Sequence, residues 1–92
     1  MPAVLRFNRS AIEDKIARAA AYLGIEGGFD GFYNYVLELR KELGVPDNLT
    51  AMGIKADRID DLAAEAIKDP SCGGNPVPMT LENTKKLFED CF

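Results

Sequence analysis

No helix or regular strand can run through the twelve residues Asp69 to Thr80, Asp-Pro-Ser-Cys-Gly-Gly-Asn-Pro-Val-Pro-Met-Thr, which hold three of the five prolines and two of the eight glycines. Proline fixes φ and removes a backbone donor, and Gly73 and Gly74 permit backbone angles closed to other residues. The stretch is therefore expected to be a stiff, irregular connector with a specified path between two helical segments. A connector so specified usually presents something. No nucleophile, base or metal ligand accompanies it in a recognisable constellation, so the residues alone do not say what.

On either side of this connector the apolar residues repeat at helical spacing. Residues 3 to 8 read as a short apolar lead with Val4, Leu5 and Phe7. Ser10 and Glu13 then form a potential capping box, which places a helix start at Ala11. Ile12, Ile16, Ala19, Ala20 and Leu23 give that helix its inner face, Asp14 and Arg18 an i,i+4 pair, and Gly24 its left-handed stop. A second helix is expected from about Phe29 to Leu43, ending at Gly44. Its stripe of Phe29, Phe32, Tyr33, Val36 and Leu43 is flanked by Tyr35 and Leu39, a surface broad enough to expect neighbours on both sides.

After Val45-Pro46-Asp47-Asn48 a single turn carries Leu49 and Met52 up to Gly53. A third helix, Asp57 to Lys68, has Ile59, Leu62, Ala63, Ala66 and Ile67 at i, i+3, i+4, i+7 and i+8. Thr80 caps a last helix in which Leu81, Thr84, Leu87, Phe88 and Cys91 face inward. No period-two alternation is long enough for a strand. The expected fold is all-α, a small bundle of about four helices.

Composition narrows the function classes. The chain has 92 residues, 47% of them hydrophobic and 28% charged, which suits one ordinary globular domain and argues against disorder. No apolar run reaches membrane-spanning length and the start lacks the pattern of a signal peptide, so a cytoplasmic location is expected and a membrane is not. Eleven basic residues against fifteen acidic give a net charge of -4 without a basic cluster, which disfavours nucleic acid as a partner. Cys72 and Cys91 are far apart and read as free thiols. Histidine is absent, which removes the commonest general base and the commonest transition-metal ligand.

Several sharper readings give way to plainer ones. Asp57, Asp61 and Glu65 lie at i, i+4, i+8, but without a loop of oxygen ligands they read as a solvated face at a helix start. Gly73-Gly74 lacks the Gly-Lys-Ser/Thr that would mark a phosphate loop. Cys72 has no adjacent base to activate it, and Cys91 reads as core. The aromatic residues of the second helix read as packing rather than as a ligand pocket.

Taken together, Leu43-Gly44-Val45-Pro46-x-x-Leu49, Gly53-Ile54, Ile59-x-x-Leu62-Ala63-x-x-Ala66 and Asp69-x-x-x-Gly73-Gly74-Asn75-Pro76 resemble the closing segment of the iron-containing (group III) alcohol dehydrogenases, nearest to their lactaldehyde reductase branch. Met1-Pro2-Ala3-Val4-Leu5-Arg6-Phe7-Asn8 is similar to the family's Leu-Pro-x-Val-x-x-Phe-Asn. The resemblance covers essentially the whole chain. It implies residues 1–92 of a C-terminal helical domain whose nucleotide-binding domain and metal-ligand segment lie outside this sequence.

For the parent protein the resemblance implies NAD(P) and iron or zinc as cofactors, and interconversion of alcohols with aldehydes or ketones. For this segment alone it implies no catalytic, cofactor-binding or metal-ligating residue and no activity. Its partners would be the remainder of the parent enzyme and, in isolation, further copies of itself. The loop is the one part that carries over: Ser71, Cys72, Gly73 and Asn75 are the candidates to line the substrate side of the interdomain cleft. Val77 stands where many members carry arginine. A free-standing, non-catalytic helical interaction module is the alternative.

Overall fold

A computed structural model describes residues 1–92. The chain is all-helical and divides into two compact units, Met1–Asp47 and Asn48–Phe92.

The first unit is an antiparallel pair, α1 (Pro2–Tyr22) and α2 (Gly28–Glu42). Helix α1 starts nine residues before the expected Ala11, so the apolar lead is its first turns and Ser10 lies exposed in its interior. Pro2 is suited to a first helical turn, where its missing donor is not needed. The capping box does not form, because Ser10 lies inside the helix rather than at its start, and Glu13 is engaged elsewhere. Arg9 Nη2 donates to Glu13 Oε1 at 2.9 Å and Arg9 Nη1 to Asp30 Oδ1 at 2.9 Å, tying α1 to α2. Those carboxylates, Glu13 foremost, hold the Arg9 pKa above its ordinary value. The i,i+4 ion pair formed in α1 is Arg9–Glu13 rather than the expected Asp14–Arg18.

Leu5, Phe29 and Val36 make the core of this unit, with Ile12, Ile16, Phe32 and Tyr33 packed against it. Burial of this face outweighs the local preference of Asn8-Arg9-Ser10 to end or begin a helix. Ala20 is 0% exposed, so α1 is closely covered at its alanine-rich end. Both helices end in the same way. Gly24 N–H donates to Ala21 O and Ile25 N–H to Ala20 O; Gly44 N–H donates to Lys41 O and Val45 N–H to Arg40 O. This closure needs a left-handed residue, and Gly24 and Gly44 have φ of 75° and 69°. Arg40 then fastens the connector by donating from Nη1 to Asp47 O at 3.0 Å.

In the second unit the turn after Asn48 closes on the C-terminal end. Leu49 N–H donates to Cys91 O at 2.8 Å and Thr50 Oγ1 to Phe92 O at 3.3 Å. A 3-10 turn, Ala56–Arg58, leads into α3 (Ile59–Ala66), which packs against α4 (Leu81–Glu89). The helix expected over Asp57 to Lys68 is thus shorter at both ends, as tightened terminal turns allow. Ala63, 0% exposed, and buried Thr84 mark the close approach of the pair. The Thr84 hydroxyl has no hydrogen-bond partner, a cost of roughly 1–3 kcal/mol that close packing must offset. Leu81, expected inside, is exposed, and Cys91, expected in the core, is half-buried in the turn after α4.

Candidate functional site

The irregular connector links α3 to α4 and is held by side chains at each bend. Asp69 ends the helical region and turns the chain: its Oδ1 accepts from Ser71 N–H at 2.7 Å, while Cys72 N–H donates to Asp69 O at 3.0 Å. Pro70 opens the resulting 3-10 turn, Pro70–Gly74. Asn75 follows, and its Nδ2 donates to Val77 O at 2.8 Å and to Met79 Sδ at 3.4 Å. Asn83 reaches back from α4, donating from Nδ2 to Pro78 O at 2.9 Å. Thr80 and Asn83 complete a reciprocal cap, with Thr80 N–H to Asn83 Oδ1 at 2.8 Å and Asn83 N–H to Thr80 Oγ1 at 3.1 Å.

Side chains therefore specify the path of this loop, not glycine angles. Neither Gly73 nor Gly74 has a positive φ, contrary to the expectation from their sequence, and a Cβ on either would meet no atom within 4 Å. The fold does not require glycine here. What the glycines leave is open space.

That space is a groove of about 350 Å³ lined by Ile67, Cys72, Gly73, Asn75, Pro78 and Met79. Of the four residues singled out from the sequence, Cys72, Gly73 and Asn75 come together in its lining. Ser71 is exposed outside it, its amide engaged by Asp69. Ile67, Pro78 and Met79 were missed. Ile67 closes the heptad-like run of α3 and looked like core, but it falls in the turn past the helix and is partly exposed.

The charged groups around the groove are already engaged. Hydrogen bonds from Ser71, the backbone one foremost, hold the Asp69 carboxyl below its ordinary pKa. Lys68 Nζ meets Glu65 Oε1 at 2.7 Å. Because the folded Asp69 pKa is lowered, its stabilisation of the turn is fully present above the unfolded value, about 3.9. That stabilisation is lost as pH falls through the lower folded value. In a pH titration followed by NMR, the Ser71 amide should therefore shift with a midpoint below that of an unfolded aspartate; a midpoint at or above it would contradict the hydrogen bond.

The acidic series Asp57, Asp61 and Glu65 does not form a cation site. Asp57 lies in the 3-10 turn, Asp61 pairs with Arg58 at 3.3 Å and Glu65 with Lys68. No group of three potential metal-ligating side chains is brought together. No helix is long and apolar enough to cross a membrane.

Residues 1–92 match the family model described as Fe-containing alcohol dehydrogenase family, C-terminal. Among curated proteins, the chain is 29% identical to an NADPH-dependent butanol dehydrogenase of Clostridium saccharobutylicum over 97% of its length. It is 28% identical to lactaldehyde reductase of Escherichia coli and 30% identical to choline dehydrogenase of Bacillus subtilis, in both cases over 100% of its length. The chain spans about a quarter of these relatives, 25%, 26% and 24% of their respective lengths. No solved structure matches it significantly.

Proposed function

Because this chain belongs to the Fe-containing alcohol dehydrogenase family, as a C-terminal part of it, we propose that it is the C-terminal helical segment of a metal-dependent, NAD(P)-linked enzyme that interconverts alcohols with aldehydes or ketones. The observation that carries this reading is the match of residues 1–92 to the family's C-terminal model; for the cleft wall the support is the groove, where three of the residues that resemble the family's cleft loop share one open lining. In this role Cys72, Gly73 and Asn75 form part of the wall on the substrate side, and Asp69, Asn75 and Asn83 keep that wall in place through the hydrogen bonds described above.

The residues of this chain do not fit the metal centre. It has no histidine and no cluster of three acidic or thiol ligands. It also has no strand to carry a glycine-rich dinucleotide loop. The metal and the nicotinamide therefore belong to the remainder of the parent enzyme. The contribution of residues 1–92 is shape: a braced loop that bounds the cleft and excludes water from it.

The remainder of the enzyme is also the proposed partner for the apolar surface. Tyr22 is 90% exposed and Leu43 68%, and Leu23, Tyr35 and Leu39 are exposed on the same helix pair. Exposed apolar side chains of this kind need cover, and in isolation the segment should cover them by self-association. The experiment is an assay of purified residues 1–92 with NAD or NADP, a short-chain alcohol and added iron or zinc. No turnover above a mock purification is expected. A metal-dependent rate would overturn the division of labour proposed here.

A free-standing helical interaction module is the second reading. Its support is that α1, α2 and α4 are closed by local caps within two compact units.

A further inference from the structure

Resting on the expectation that the isolated segment self-associates, we propose that a second copy of the chain covers one side of the α1–α2 pair, turned end for end so that Tyr22 of each copy meets Leu43 of the other. The core fixes which side. Leu5, Ile12 and Ile16 of α1 pack with Phe29 and Val36 of α2. Along one edge of that line Arg6 donates to the Tyr33 hydroxyl and Arg9 to Asp30, so this edge is tied shut. At about 100° of turn per residue, the other edge of α1 carries Ala11, Lys15, Arg18 and Tyr22, and the other edge of α2 carries Tyr35, Leu39, Glu42 and Leu43. All of these are exposed.

The most exposed apolar side chains of this side, Tyr22 and Leu43, stand at its opposite ends, because the pair is antiparallel and Tyr22 closes α1 while Leu43 closes α2. The charges are divided by end as well. Lys15 and Arg18 lie toward Tyr22, and Glu42 lies beside Leu43. None of the three forms an ion pair within the chain. A membrane surface or a nucleic acid presents one sign of charge and suits only one of these ends. A second copy related by a two-fold axis presents both signs in reverse order, and every contact is then made twice. Leu43 lies against the Tyr22 ring and Glu42 beside Arg18, at both ends of the face. The same rotation sets the aliphatic stems of Lys15 and Arg18 against Tyr35 and Leu39. With only these few side chains from each copy, the face falls below the size of a stable interface, and the dimer is a weak one.

Sedimentation equilibrium of residues 1–92 over a wide range of concentration should show a closed monomer–dimer equilibrium. Tyr22→Ser and Leu43→Ser should each weaken the dimer by about tenfold or more, since each side chain is lost from two symmetric contacts. Arg18→Glu and Glu42→Arg should each weaken it by about tenfold, two attractions becoming two repulsions, and the double variant should recover most of that loss. All four positions are exposed, so each variant should keep the urea midpoint of the unsubstituted chain, followed through its remaining tyrosines. A monomer at every concentration would overturn this inference together with the expected self-association, and would leave the family membership untouched. A dimer that survives both serine substitutions would overturn the face and leave self-association standing. Open-ended growth with concentration would overturn the two-fold closure. A double charge variant no better than either single one would overturn the end-for-end arrangement.

Discussion

Alanine in place of Gly31 should destabilise the Met1–Asp47 unit by about 3 kcal/mol, within the range for forced overpacking. Propensity alone argues the opposite sign, since alanine inside a helix is worth roughly 1 kcal/mol over glycine. The deciding fact is the neighbour. A Cβ on Gly31 would be driven into the carbonyl oxygen of Glu26 and stand 2.8 Å from its carbonyl carbon. Both are backbone atoms, fixed where Gly27 and Gly28, with φ of 93° and 62°, curl the chain into α2. No side chain can rotate aside to relieve the contact. All three tyrosines, Tyr22, Tyr33 and Tyr35, lie in this unit and the chain has no tryptophan, so tyrosine fluorescence reports its unfolding selectively. Urea titrations of the parent and Gly31→Ala chains would measure the loss; an unchanged or raised midpoint would contradict the close approach.

Phe29→Ala should have an effect of similar or greater size, about 3–5 kcal/mol by the behaviour of large-to-small core changes. Phe29 is 4% exposed and sits between Leu5 and Val36. Its ring stacks on Tyr33 with centroids 6.5 Å apart, and the Arg9 guanidinium lies over the Phe29 ring, 4.6 Å from its centroid. Tyr33 is itself engaged by Arg6, which donates to its hydroxyl and lies 5.8 Å from its ring. The substitution therefore removes volume from the core and the surface on which Arg9 rests while it joins Glu13 and Asp30. Phe29→Leu, which keeps most of the volume, should cost about 1 kcal/mol. If Phe29→Ala were as mild as Phe29→Leu, Phe29 would not anchor the pair.

These two positions show what the sequence could and could not convey. The apolar stripe of Phe29, Phe32, Tyr33 and Val36 announced α2, and the glycines after Leu23 and Leu43 marked helix ends, because periodicity and left-handed closure are local properties. The start of α1 was not legible. Ser10 and Glu13 satisfy a capping rule, yet Arg9 recruits Glu13 from four positions away and the burial of Leu5 against α2 carries the helix through to Pro2; the second effect depends on Phe29 and Val36, more than fifteen positions away. Gly31 gave no signal of its requirement, since only the folded return of Glu26 creates it.

The loop was legible in part. Its prolines and glycines announced a fixed irregular path, and Cys72, Gly73 and Asn75 do gather in one groove. Gly73 and Gly74, however, have backbone angles open to any residue, and the fixing is done by Asp69, Asn75 and Asn83. Met79 joined the groove without notice because its tether, Asn75 Nδ2 to a thioether, has no motif of its own.

The central claim is that residues 1–92 act as one part of a larger dehydrogenase, and an immunoblot of the cells that encode them, with an antibody raised against this segment, tests it most directly. The segment has a mass of 10.1 kDa and spans about a quarter of its relatives, such as 26% of lactaldehyde reductase. A band about four times the segment's mass is the predicted result. A single band at the segment's own mass would contradict the claim and favour a free-standing helical module.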